Sequence, residues 1–250
     1  MRLRVSSKLA QLLAEAISCS TVAQEPPAPS VVVFADVRIF DGTTKELSGP
    51  AQVLVRGNLI ERITTTPFAA ADIQGATVID GGGRTLMPGL IDAHVHAMFE
   101  TIPQAVAPDV GYIHQVATVA ARATLLRGFT TVGDVGGATF GLKRAIDAGI
   151  TPGPRIYPSG AMISQTGGHG DFRHATEVPR EPGAPLSYPE RTGMTAIADG
   201  EAQVLLRARE QRRQGATYLK RMAGGGALVP TRPPSSAEST SRIPALRRHR

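Results

Sequence analysis

The sequence predicts an α/β protein in which a small all-β unit precedes parallel strands alternating with helices. Three observations carry this expectation. Residues 31–88 are dense in β-branched runs broken by turn dipeptides. From residue 89 the pattern becomes strands separated by stretches with helical apolar spacing. Residues 227–250 lose both periods, holding four prolines, four serines and five arginines. Alternation of this kind builds either a doubly wound sheet or a (β/α) barrel, and periodicity alone leaves both open.

Residues 1–30 read as a leader. A basic start and a modest apolar middle precede "TVA", a cleavage-like site, but Gln11 and Glu15 interrupt the apolar run. A true export signal would place the protein in the periplasm or outside the cell; otherwise it is cytoplasmic. The segment "APSVVVFADVRIFDG" reads as a strand ending at the Asp41-Gly42 turn. "AQVLVRGNLIERI" is a hairpin about Gly57-Asn58, and "ATVIDGGGRTLMPG" a further strand. Residues 31–88 are thus the small β unit. In 89–226, "LIDAHVH", "GFTTVGDVGG", "GPRIYPSGAMIS" and "ATYLKRMAGGG" read as four strands. Residues 112–127, "FGLKRAIDAG" and "EAQVLLRAREQRRQG" read as helices, the second closed by Gly149. A long Pro-rich loop, 170–193, precedes the last helix. Residues 227–250 read as a disordered basic tail.

Composition narrows the function. The formal charge is +6, but the tail's five arginines against Glu238 supply +4 of it. The other 226 residues carry only +2, which argues against nucleic acid as a partner. No apolar run reaches the ~18 residues of a membrane span. Cys19 is the single cysteine, so no disulfide forms within the chain.

His94 and His96 are two of six histidines and flank one valine. On a strand, positions i and i+2 share a face, so both imidazoles can meet one metal ion, and Asp92 shares that face. The plainer reading is a pair of polar residues at a strand end. Their place at the carboxyl end of a strand, where α/β folds carry their sites, favours the ligand reading. Lys220, on the fourth strand, is costly to bury as an unpaired cation; the plainer reading has its stem snorkelling outward. His169 lies in the glycine-rich "TGGHGD", where a mobile surface histidine is the plainer reading. Arg173, Arg180 and Arg191 read as solvated. No phosphate loop or G-x-S-x-G elbow is present.

"TLMPGLIDAHVH" resembles the signature of the amidohydrolase superfamily, metal-dependent hydrolases on a (β/α)8 TIM barrel. "VRIFDG" and "VLVRGNLIERI" are similar to the small β-sandwich that precedes the barrel in many of them. "TGGHGD" and "RQGATYLKRMAGGG" resemble an imidazolonepropionase-related branch that includes Xaa-Pro dipeptidases and an ochratoxin-cleaving, carboxypeptidase-like enzyme. The resemblance covers residues 31–226. It implies the N-terminal half of the barrel in 89–226 and hydrolysis of an amide or peptide C–N bond. It also implies one or two divalent ions, zinc foremost, with His94 and His96 as ligands. Lys220 would be a bridging ligand as its CO2-derived carbamate, and His169 a catalytic contact to the substrate carbonyl. The substrate would be a small molecule such as a dipeptide or an N-acyl amino acid. Homo-oligomerisation stays open.

The family's remaining ligands come from later strands, whose sequence this chain lacks. The expectation is therefore a barrel truncated after its fourth strand, inactive as it stands, with unpaired sheet edges that favour aggregation. Two alternatives accompany it: a non-catalytic remnant or frameshifted gene product, and a cyclic-amide hydrolase or deacetylase on the same scaffold.

Overall fold

A computed structural model describes residues 29–99, 109–174 and 184–224. Most of the leader, the tail, Cys19, Arg180 and His249 lie outside the described residues. The chain divides into two compact units between Pro88 and Gly89.

In the first unit, β1 (Val31–Ile39), β2 (Ala51–Arg56), β3 (Leu59–Thr64), β4 (Thr77–Asp80) and β5 (Thr85–Leu86) pair in the order β3-β2-β1-β4. The β2–β3 pair is the antiparallel hairpin read from Gly57-Asn58. β1 bulges at Asp36, a non-glycine residue at φ 49°. It pairs in parallel with β4 before the bulge and with β5 after it. Val33, Val53 and Leu54 are its most deeply buried side chains.

The second unit opens with β6 (Leu90–Val95), α1 (Val110–Leu126), β7 (Phe129–Asp134), α2 (Phe140–Asp147) and β8 (Arg155–Pro158). β6, β7 and β8 form a parallel sheet in that order. Asp109 caps α1 by accepting the Tyr112 N–H at 2.8 Å. Ile113, Ala117 and Ala121, spaced by one helical turn, pack with Val132, Leu142 and Ile156 into one core cluster. Ile156 is 1% exposed, a burial that stabilises by about 1.5–3 kcal/mol. β6 is an edge of this sheet, with Ile91 71% exposed.

The third predicted strand is broken. Gly160, at φ 72°, turns the chain between β8 and β9 (Met162–Ser164), and an added Cβ there would lie 2.3 Å from Gln211 Oε1. After the break β9 joins a second parallel sheet, ordered β10-β9-β11, with β10 (Thr195–Ile197) and β11 (Arg221–Met222). The Thr217 N–H donates to Pro158 O at 2.8 Å, so the chain leading into β11 runs beside both halves of the broken strand. α4 (Glu201–Gln214) covers this sheet with Val204 and Ala208 and ends at Gly215, φ 106°.

The Pro-rich segment read as one loop holds structure. α3 (Tyr188–Arg191) begins at Ser187, whose N–H and hydroxyl both donate to the Glu190 carboxylate, at 3.1 and 3.0 Å. β10 follows directly. Among the described residues no helix is long and apolar enough to cross a membrane.

Candidate metal centre

Within each parallel sheet the strands point the same way, so His96 and Asp134 stand at the carboxyl end of the first and Ser164 and Met222 at the carboxyl end of the second. His94 is the penultimate residue of β6, which ends at Val95, and His96 lies one residue beyond it. Strict alternation does not deliver them. The register with β7 shifts between Asp92 and Val95, and the Asp92 carboxylate accepts the His94 N–H at 3.0 Å. That hydrogen bond uses the one carboxylate expected on their face.

The two rings nevertheless meet edge to face, with centroids 5.8 Å apart. His96 also stacks on Phe99 at 4.9 Å. Its Nδ1 is buried and has no hydrogen-bond partner in the structure. Burial lowers the ring's pKa, and the charges of His94, Lys220 and His169 lower it further, while the nearby Gly136 backbone pulls the other way. His96 is therefore a neutral, half-buried imidazole at neutral pH, the protonation state a metal ligand needs.

Lys220 precedes β11, and its carbonyl accepts the Ile163 N–H at 3.0 Å. Leu219 packs against the α4 side of the sheet, whereas Met222 packs with Met162, Met194, Phe99 and Phe172 on the opposite side. The charge of Lys220 helps lower the pKa of His96.

His169 is exposed and held by its backbone, its N–H donating to Gly224 O at 3.0 Å. The glycines around it serve close packing against the strands. A Cβ on Gly170 would lie 2.9 Å from both Met222 Sδ and Ser164 Cβ. Thr166 fastens the loop to Asp199 through N–H and hydroxyl, at 2.9 and 2.6 Å. Arg173, expected to be solvated, instead grips Asp171 through Nε at 2.7 Å and Nη2 at 2.6 Å. Burial raises the Asp171 pKa, but Arg173 and the Gly167 N–H outweigh it and hold the carboxyl below its usual range.

Two residues that the motif reading passed over stand beside this cluster. Asp134 is fully buried at the end of β7. Its carboxylate accepts the Ala97 N–H at 2.8 Å and the Thr139 hydroxyl. Burial outweighs these donors and pushes its pKa up to about 7. The Tyr218 hydroxyl donates to Asp134 O at 2.9 Å, and burial together with the Asp134 charge pushes its pKa to about 12. A lone Asp at the end of an apolar strand was the available signal; Tyr218 had none.

A metal ion can be tested against this donor set. Two imidazoles sharing one zinc ion at about 2.0–2.1 Å would have centroids about 5 Å apart. The observed 5.8 Å separation and the partnerless His96 nitrogen fit that, with a small ring adjustment. Among the described residues, however, no three His, Cys, Asp or Glu side chains group tightly enough to hold an ion. The two histidines could supply two ligands to an ion, with any others coming from further groups.

A model of the amidohydrolase family matches residues 85–242. The ochratoxinase of Aspergillus niger is 34% identical over 157 residues, 57% of this chain and 32% of that protein. A prolidase solved in complex with N-methylphosphonate-L-proline superposes with a TM-score of 0.71 at 35% identity, over 82% of this chain and 49% of that one. A Xaa-Pro dipeptidase solved with methionine in its active site gives 0.65 at 28% identity, over 80% and 48%. The chain thus spans about half the length of these solved relatives and about a third of the curated one.

Proposed function

The chain belongs to the amidohydrolase family, and from that premise we propose that its second unit carries part of a metal-assisted site for hydrolysing amide or peptide C–N bonds. One observation supports this above others. The rings of His94 and His96 meet edge to face at 5.8 Å, and Lys220 and His169, from segments far apart in sequence, lie near enough to help lower the pKa of the half-buried His96 ring.

The roles follow from the chemistry of each group. His94 and His96 offer neutral nitrogen lone pairs. Lys220 supplies an ammonium that loses one proton; its amine then adds to the carbon of CO2, an N–C bond forming as one C=O π bond opens, and a second proton leaves, so a cation gives way to an anionic carbamate whose two oxygens would be ligands. His169, on a loop pinned at both ends, donates a hydrogen bond to the substrate carbonyl oxygen and stabilises the charge that develops there. A bound divalent ion, zinc foremost, contributes Lewis acidity and brings the pKa of water near neutrality. The substrate class is a dipeptide with a C-terminal proline or an N-acyl amino acid.

The chain as it stands is proposed to be a weak metal binder with little or no turnover, because the described residues hold only part of a ligand set. The same observation favours a second reading, a non-catalytic remnant. Metal content of the purified full chain, with hydrolysis assays on Xaa-Pro dipeptides and N-acyl amino acids, separates the two. Stoichiometric zinc lost in His96→Ala supports the metal site. No metal bound above the level of His94→Ala/His96→Ala rejects it.

A further inference from the structure

Asp134, fully buried in the second unit, is a carboxylate that the roles above do not use. Asp134 touches every segment that carries a proposed ligand. Its Oδ1 accepts the N–H of Ala97, the residue that follows His96, at 2.8 Å. Its Oδ2 accepts the hydroxyl of Thr139, itself fully buried. Its carbonyl accepts the Ser159 N–H at 2.9 Å, at the end of β8. The same carbonyl takes the Tyr218 hydroxyl at 2.9 Å, two residues before Lys220. β6 is irregular along β7, and its last ladder contact, the Val135 N–H donating to Val95 O at 2.9 Å, comes one residue before His96, so beyond Val95 the ladder does not fix where His96 stands. The Asp134 carboxylate replaces the missing ladder contact with a side-chain one.

We propose that Asp134 is the positioning residue of this site, its carboxylate fixing the turn that aims His96 and its carbonyl fixing the approach to Lys220. This rests on the metal-site reading only for its purpose; the positioning is a property of the metal-free chain. A buried acid retained for core packing alone would be exchangeable for an apolar residue of its size, with no consequence for the His96 ring. Asparagine, in contrast, keeps an oxygen for Ala97 and can donate its amide to Thr139.

The test is made on the full chain. The ring C–H signals of His96, identified by their loss in His96→Asn, are followed by NMR without metal. Asp134→Ala is expected to move and broaden them, and Asp134→Asn to leave them near their wild-type positions. Val204→Ala, a cavity on the α4 side of the other sheet, controls for general loosening and should leave them in place. Unmoved signals in Asp134→Ala, or equal movement in Val204→Ala, would overturn the proposal. If Asp134→Ala fails to fold, Thr139→Val decides: it strips one donor from the carboxylate and should move the same signals, and no movement overturns. Cobalt(II) titration is the second readout. Removing an outer partner of a ligand typically weakens binding about 10–100-fold, so Asp134→Ala should lose at least about tenfold and Asp134→Asn little. A wild-type chain without cobalt bands would defeat the metal-site reading, while the ring signals would still decide the role of Asp134.

Discussion

Asp134 should make this protein less stable as pH rises from acid towards neutrality, the reverse of ordinary carboxylates. Its pKa is pushed from 3.8 to about 7 because burial outweighs the donors from Thr139, Ala97 and Gly136. The sign follows from proton counts. Between those two values the unfolded chain has released the proton and the folded chain still holds it. Stability therefore falls with pH across that window and flattens above it. A shift of roughly three units, at about 1.4 kcal/mol each, gives about 4 kcal/mol. With a urea slope of about 2 kcal/mol/M, that is a midpoint change of about 2 M. His96 works in the opposite direction: its lowered pKa adds stability as pH rises towards 6.5. The comparison must therefore be made against Asp134→Asn, which keeps His96 and removes the titrating acid. Urea unfolding is followed by far-UV circular dichroism from pH 4.5 to 8, since the chain has no tryptophan. Wild type should lose ground to the variant steadily up to about pH 7, the folded-state value. Midpoints that keep a constant separation across the range would refute the reasoning.

Other consequences are as specific. Ile156→Ala, in the core cluster under α1 and α2, should cost about 2–5 kcal/mol in urea unfolding. Lys220→Met should raise the His96 pKa in an NMR titration, because it removes a positive charge from the ring's surroundings; an unchanged value would mean the lysine does not reach it. Glu190→Ala, which strips the buried cap of α3 and one of the two carboxylates paired with Arg207, should cost about 3 kcal/mol, and Glu190→Gln clearly less. Ile91→Lys, on the exposed edge strand β6, should raise the soluble fraction without lowering the unfolding midpoint.

Much of this fold is legible because periodicity and turn chemistry agree. The Gly57-Asn58 hairpin, the Ile113/Ala117/Ala121 stripe and the Gly215 helix stop are each fixed by neighbours in sequence. The break in the third strand was not, although Gly160 stood in view, because an isolated glycine in a strand pattern equally marks a bulge. α3 was hidden by the prolines around it, yet Ser187 and Glu190 form an S-x-x-E helix-start pattern. β10 has no signal of its own: Thr195–Ile197 is three residues long, and pairing with β9 makes it a strand. The candidate site divides in the same way. His94 and His96 announce themselves by spacing, whereas Asp134 matters through contacts 37 and 84 residues away.

Charge is the strongest physical constraint on how this site can work. His94, His96, His169 and Lys220 are all basic, and Asp92, the nearest acid on the strand, already accepts a backbone N–H. Such a cluster repels a divalent ion as long as Lys220 is an ammonium. Two neutral imidazoles could hold zinc, but only against a neighbouring positive charge. Turning the amine into a carbamate removes that charge and adds an anion in its place. Zinc affinity should therefore rise with added bicarbonate, and the rise should vanish in Lys220→Met while that variant keeps a weak, bicarbonate-independent affinity through its two histidines. Equal bicarbonate dependence in both proteins would show that the lysine plays no part in holding the ion.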